Sequence, residues 1–180
     1  MRGFRTYLVV SICLLSFMNM PDIAFAEADS TSSKVSEETP KPIAEWFAAY
    51  DQIRRDAEMP LSEKLKYGGA VKRALKTGGK LSASTQKFAE KMIAKFAAAT
   101  AAMKALTPVP ETKELHDGYI QYFTEMEKNF SDCVNKQEID ASLAESKSAA
   151  KRSIETLNNK NKKLDDDLRT KYDVPKHKHS

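Results

Sequence analysis

Three histidines and two cysteines are the residues of this 180-residue chain best suited to metal or nucleophile chemistry. His116 follows Glu114 by two positions, a spacing that turns the two side chains apart on a helix. A di-iron bundle needs Glu-x-x-His on two of its helices, and no such motif occurs. Nor is there a Cys-x-x-Cys-His for covalent haem attachment. His116 flanks an apolar helical stripe, where a histidine is expected partly buried with one hydrogen-bond partner. The alternative is a pH-sensing or ligand role, including a metal or b-type haem held inside a bundle near His116. His177 and His179 stand in a cationic tail, Lys176-His-Lys-His179. Two imidazoles on such a tail would hold a divalent ion weakly, and a solvated tail is the expectation. No resident cofactor is expected.

Nucleophile patterns lead nowhere. Ser148-Ala-Ala-Lys151 and Lys76-Thr77-Gly78 match two motifs of penicillin-recognising enzymes, but in reversed chain order and without Ser-Asp-Asn. Thr77-Gly78-Gly79-Lys80 lacks the spacing and preceding strand of a phosphate loop. Asn129-Phe130-Ser131 is a glycosylation sequon in mid-helix. Cys133 has no histidine near it in sequence and falls on an apolar stripe, so it reads as a small buried apolar residue. The chain is therefore not expected to be an enzyme.

The N-terminus supplies an address. Arg2 and Arg5 precede an apolar run from Tyr7 to Phe17, and Ala24-Phe25-Ala26 is a small-x-small cleavage site. Residues 1–26 read as a signal peptide, which places the mature chain, from Glu27, in the periplasm or outside the cell. Cleavage removes Cys13. Cys133 then has no partner for a disulfide within its own chain, and pairing between chains is the alternative to a buried thiol. The leader carries two arginines and one aspartate, so the formal charge falls from +4 to +3. That small excess, with aromatics that do not interleave with the lysines, argues against nucleic acid as a partner. Nothing after the leader is apolar enough over roughly 18 residues to span a membrane.

The elements that would position any site are helices. Residues 27–41 are rich in Ser, Thr and Glu and read as a flexible tether. Residues 42–174 read as one helical bundle, and 175–180 as a disordered tail. The first helix, from Pro42 or Ile43 to about Glu58, carries Ile43, Trp46, Phe47, Tyr50, Ile53 and Ala57 on one side. The second starts at Ser62, with Leu65, Val71 and Leu75 as anchors. Its Gly68-Gly69 pair implies a close crossing or a break. The third, capped by Ser82 or Ser84, presents Phe88, Met92, Ile93, Phe96, Ala99, Met103 and Leu106. Thr107-Pro-Val-Pro110 stops it. The fourth, from near Glu111, presents Leu115, Tyr119, Tyr122, Phe123, Met126, Phe130, Cys133 and Val134. A fifth would open at Asn135 with Glu138 as a capping box and carry Ile139, Leu143, Ala150, Ile154, Leu157, Leu164, Leu168 and Tyr172. No period-2 strand pattern appears. The expectation is an all-α, four- to five-helix antiparallel bundle with a long C-terminal helix.

That last helix outruns the first two. Either those two stack end to end along it, or its final turns project, since the polar stretch Asn158 to Lys163 interrupts its stripe. Ile154, Leu157, Leu164 and Leu168 would then offer a seam for self-association.

Charge is segregated. Ten Lys and Arg between Leu61 and Lys104 face only Glu63 and Glu90, whereas nine Asp and Glu between Glu111 and Glu145 face three lysines. Two readings follow. Neighbouring helices with complementary charge would pair, each exposed pair contributing under about 1 kcal/mol. Alternatively, Lys72, Arg73, Lys76, Lys87, Lys91 and Lys95 form a face for an anionic partner.

Met103-Lys-Ala-Leu-Thr-Pro-Val-Pro-Glu-Thr-Lys-Glu-Leu-His-Asp-Gly-Tyr119 resembles a turn of small exported bacterial helix-bundle proteins of uncharacterised function. In these a helix ends in leucine, a proline-rich turn follows, and the next helix opens with Leu-His. The resemblance covers that turn alone. It implies a bundle and an exported setting, and it assigns no site residue. The functional expectation is an exported, non-enzymatic binding or structural module of the cell envelope, meeting an anionic envelope component or another protein. The alternative is a carrier of a small ligand, metal or haem near His116.

Overall fold

The computed structural model describes residues 40–77, 80–135 and 141–176, the side chains of 75, 77 and 141–147 excepted. The leader, the tether, Cys13, His177 and His179 lie outside the described residues. Within them the chain forms α1 (Lys41–Ala57), α2 (Leu61–Thr77), α3 (Ala83–Ala105), a 3-10 turn (Pro110–Thr112), α4 (Lys113–Asn135) and α5 (Ala141–Lys171), with no strand. The protein is an all-α bundle.

Local chemistry sets the helix ends. Pro42 sits in the first turn of α1, where its missing N–H costs nothing. Ser82 caps α3, its side chain accepting from the Thr85 N–H, which settles the choice between Ser82 and Ser84. The two prolines after Leu106 end α3 and open the 3-10 turn leading into α4. α4 continues through Asn135, and α5 is described from Ala141. Asp173, with φ of 50°, reverses the chain after α5, and the Val174 N–H returns to the Arg169 carbonyl at 3.0 Å.

α3 and α4 form the central antiparallel pair. Met92, Phe96 and Met103 of α3 and Leu115, Tyr119, Phe123, Met126 and Phe130 of α4 are buried between them and their neighbours. α1 covers one end of the pair: Tyr50 meets Tyr119 at 5.1 Å between ring centroids. α2 covers the other end, with Tyr67 at 4.9 Å from Phe130. The two short helices thus take opposite ends of α4. Cys133 is a free, buried thiol in a satellite cluster with Ala74 and Leu81.

Three expectations are corrected. First, α2 runs unbroken through Gly68 and Gly69. A Cβ built at Gly69 meets nothing within 4 Å among the described residues, so no helix crosses closely at Gly69. Gly69→Ala is therefore expected to stabilise the protein by about 0.5–1 kcal/mol, through helix propensity alone. A higher urea midpoint with unchanged slope is the readout, and a destabilised variant would contradict the open environment.

Second, Leu65 is not an anchor. It is 43% exposed, and Leu61 is 62% exposed. The inward side of α2 is Tyr67, Val71 and Ala74.

Third, the end of α5 does not project. Asn161, Asp165 and Arg169, spaced by four residues, are all buried, so the polar line continues the inward stripe of Ile154. Ile154 belongs to the core, and Leu164 and Leu168 pack against it. Leu164 and Leu168 are partly buried there, and Leu157 lines the groove between α4 and α5.

Candidate functional site

Two constellations of polar side chains are assembled at the end of the bundle where α1, α4 and α5 meet. Both lie beyond what periodicity in the sequence pointed to.

The first is a charge quartet, with Asp165 and Arg169 buried and Asp51 and Arg54 partly buried. α1 supplies Asp51 and Arg54, one turn apart; α5 supplies Asp165 and Arg169, also one turn apart. Arg169 Nη2 donates to Asp51 Oδ1 at 2.6 Å and Nε to Asp165 Oδ1 at 2.9 Å. Its Nη1 donates to the Pro175 carbonyl at 2.6 Å, pinning the segment after the helix. Arg54 Nη1 donates to Asp165 Oδ2 at 3.1 Å and to the Tyr50 hydroxyl at 3.2 Å. The Arg169 guanidinium lies 4.5 Å from the Phe47 ring centroid, and that of Arg54 lies 5.2 Å from Tyr50 and Tyr119. Two cations and two anions cancel, and planar guanidinium groups satisfy them with forked hydrogen bonds. The quartet locks α1 to α5. All three guanidinium nitrogens of Arg169 are directed at groups of the chain itself.

Beside it stands a belt of buried phenols. Burial pushes Tyr122 up to about 12, with Tyr119 adding to the effect. Burial first, then the neighbouring Tyr119, holds Tyr50 well above the ordinary range; burial raises Tyr119 likewise, and also Tyr67 at the opposite end of α4. Folding thus retains protons that the unfolded chain loses near pH 10. The stabilisation is complete below about pH 10. It is lost as pH rises from there through the folded value of about 12 for Tyr122. A urea midpoint that falls across this alkaline range, with tyrosinate absorbance lagging until unfolding, is the expected result. Ionisation of all tyrosines near the ordinary value in the folded protein would contradict it.

The second constellation is a groove between α4 and α5. It encloses about 490 Å³ and is lined by Pro110, Lys113, Glu114, Asp117, Gly118, Gln121, Leu157, Lys160 and Asn161. Exposed ion pairs edge it: Lys113 to Asp117 at 2.7 Å, and Lys160 to Glu114 at 2.9 Å across the two helices. Its floor is the contact of Gly118 with Asn161. Asn161 has no exposed surface, and neither atom of its amide has a hydrogen-bond partner. Glycine at 118 is what lets α5 approach so closely: a Cβ there would fall 2.2 Å from Asn161 Oδ1.

His116 sits next to this groove but not in its lining. It is buried, with two partners where the sequence suggested one. Its Nε2 donates to the Met103 carbonyl at 2.7 Å, and its Nδ1 stands 3.1 Å from Asp117 Oδ1. Lys113 first, and His116 second, hold the Asp117 carboxyl below the ordinary carboxylate value. Nε2 thereby ties α4 to the end of α3, and Nδ1 pairs with the next residue of α4. Among the described residues, no group of three or more His, Cys, Asp or Glu side chains is placed to hold a metal ion.

The basic set is divided by the structure. Lys95 Nζ donates to the Glu58 carbonyl at 2.9 Å, and Lys91 lies 3.9 Å from Glu63, so these two tie α3 to the α1–α2 junction. Lys76 and Lys87 are exposed, as is Arg73, and Lys72 is partly buried. The acidic helix does not neutralise them. Among the described residues, α3 pairs with α2 through Lys91 and Glu63, α4 with α5 through Glu114 and Lys160, and no ion pair joins α3 to α4.

Sequence periodicity missed Asp51, Arg54, Asn161, Asp165 and Arg169. The available signal was the spacing of the last three at i, i+4 and i+8, in register with Ile154 seven residues before Asn161. No protein-family model, curated protein or solved structure matches this chain.

Proposed function

We propose that this chain is an exported, non-enzymatic binding module whose basic face on α2 and α3 meets an anionic component of the cell envelope. The observation that carries the reading is the absence, among the described residues, of any ion pair between the basic α3 and the acidic α4. Complementary neighbours would have cancelled this charge internally. Left outward, it attracts anions at the range of a Debye length, about 8 Å at physiological salt. The leader of residues 1–26 supports the exported setting. The Asp51, Arg54, Asp165 and Arg169 side chains are engaged with one another, which favours binding over catalysis.

The test is the affinity of the mature chain for two anionic probes, inorganic polyphosphate and vesicles containing phosphatidylglycerol. Binding to at least one, weakening steeply with salt, is expected. Lys72→Glu/Lys76→Glu/Lys87→Glu should lower it at least about tenfold. Equal binding by that variant, or no binding by the wild type, overturns the reading. The mass of the protein recovered from its host should correspond to a chain beginning at Glu27.

The groove over Gly118 and Asn161 favours a second reading, a small-ligand carrier. Its site would be that groove, whose lining includes Asp117, the partner of His116.

A further inference from the structure

We propose that the partner of the basic face is an anionic lipid surface, and that α2 lies on it with Leu61 and Leu65 inserted. This rests on the anionic-partner reading above and names the partner's class.

At 100° per residue, Leu61, Leu65, Lys72 and Lys76 fall within one sector of about 60°. Tyr67 and Ala74, which face the core, lie on the opposite side. Leu61 and Leu65 are the exposed large hydrophobic residues among the described side chains, at 62% and 43%. Single exposed leucines are ordinary. Two at i and i+4 on the same stripe as two lysines, with Lys64 and Lys66 beside them, form an apolar-plus-basic footprint. Among the described residues, nothing lies within 4 Å of a Cβ placed at Gly69, on the same side of the helix.

Charge complementarity and the leucines together select the occupant. An acidic polymer would gain from the lysines and nothing from two leucines. A bilayer interface takes both: the leucines enter the boundary of the acyl chains, and the lysine stems lie alongside while their ammonium groups reach the lipid phosphates. No helix among the described residues is long and apolar enough to cross a membrane, so the contact is interfacial. An exported chain meets such surfaces from outside the cytoplasm.

The experiment is co-sedimentation of the mature chain with vesicles of phosphatidylcholine, with or without phosphatidylglycerol, alongside polyphosphate binding. Partitioning onto the anionic vesicles alone is expected. Leu61→Ser/Leu65→Ser should lower it by roughly tenfold or more, leaving polyphosphate binding unchanged. Both side chains are exposed, so the melting curve of this variant should match the wild type and verify its fold. Lys72→Glu/Lys76→Glu should weaken both interactions. If the leucine variant partitions like the wild type, the lipid proposal fails while the basic-face reading stands. Binding to polyphosphate but not vesicles assigns the face to an acidic polymer and overturns it. A dimer that dissolves in the leucine variant assigns the stripe to a second copy and overturns it. If the lysine variant loses nothing toward either probe, the basic-face reading itself fails.

Discussion

Arg169→Met is expected to destabilise the bundle by about 3–5 kcal/mol, the cost of breaking a buried ion pair by deleting one partner. Arg169 is 2% exposed and bonds Asp51, Asp165 and the Pro175 carbonyl. Methionine would keep packing against Phe47 but leave two carboxylates facing each other with Arg54 alone to neutralise them. The loss corresponds to a melting temperature lower by on the order of 10 °C. Arg54→Met should cost less, because the Arg54 side chain is 18% exposed and water replaces part of its pairing. Urea or thermal denaturation of the two variants is the measurement. A shift for Arg169→Met within about 0.5 kcal/mol, the range of ordinary surface substitutions, would show that the quartet does not lock α1 to α5. A double-mutant cycle with Asp51→Asn should return a coupling energy of about 0.5–3 kcal/mol.

Gly118→Ala is the second large effect, and its sign separates two arguments. Helix propensity alone favours alanine in mid-helix by about 1 kcal/mol. Packing opposes it. The new Cβ would stand 2.2 Å from Asn161 Oδ1, and Asn161 is wholly enclosed, so relief requires α5 to shift. Overpacking of this kind costs about 1–3 kcal/mol, and a net loss of about 1–2 kcal/mol is expected. Asn161→Ala removes both the obstructing atoms and two unpartnered polar groups, so it should be close to neutral alone and should rescue Gly118→Ala. A stabilised Gly118→Ala variant, or failure of the rescue, would sink the close approach of α4 and α5 at this point. The comparison with Gly69→Ala is direct: the same substitution in two helices, opposite in sign, distinguished only by what stands opposite the Cβ.

Much of the fold was legible from apolar spacing. Trp46, Phe47 and Tyr50, then Met92, Phe96 and Met103, then Tyr119, Phe123, Met126 and Phe130 mark the inward sides of α1, α3 and α4, and all of them are buried. The stops were legible too, because proline and the serine cap act within a turn of where they stand. Leu65 misled, since an apolar residue signals burial only if some other element arrives to cover it. His116 was legible as a buried histidine but not in its partners: the Met103 carbonyl accepts its bond only because the Pro108–Pro110 turn folds α4 back on α3.

The amino-acid sequence by itself determined an all-helical bundle, its element order and its uneven charge. These follow from periodicity, capping and composition, which are properties of neighbours along the chain. Only the tertiary structure decided that Asn161, Asp165 and Arg169 are buried and that Leu61 and Leu65 are not. Arg169 meets Asp51 across 118 positions, and Arg54 meets Asp165 across 111. A charged side chain enters a core only when its counter-charge is delivered there, and that delivery is made by packing, not by spacing.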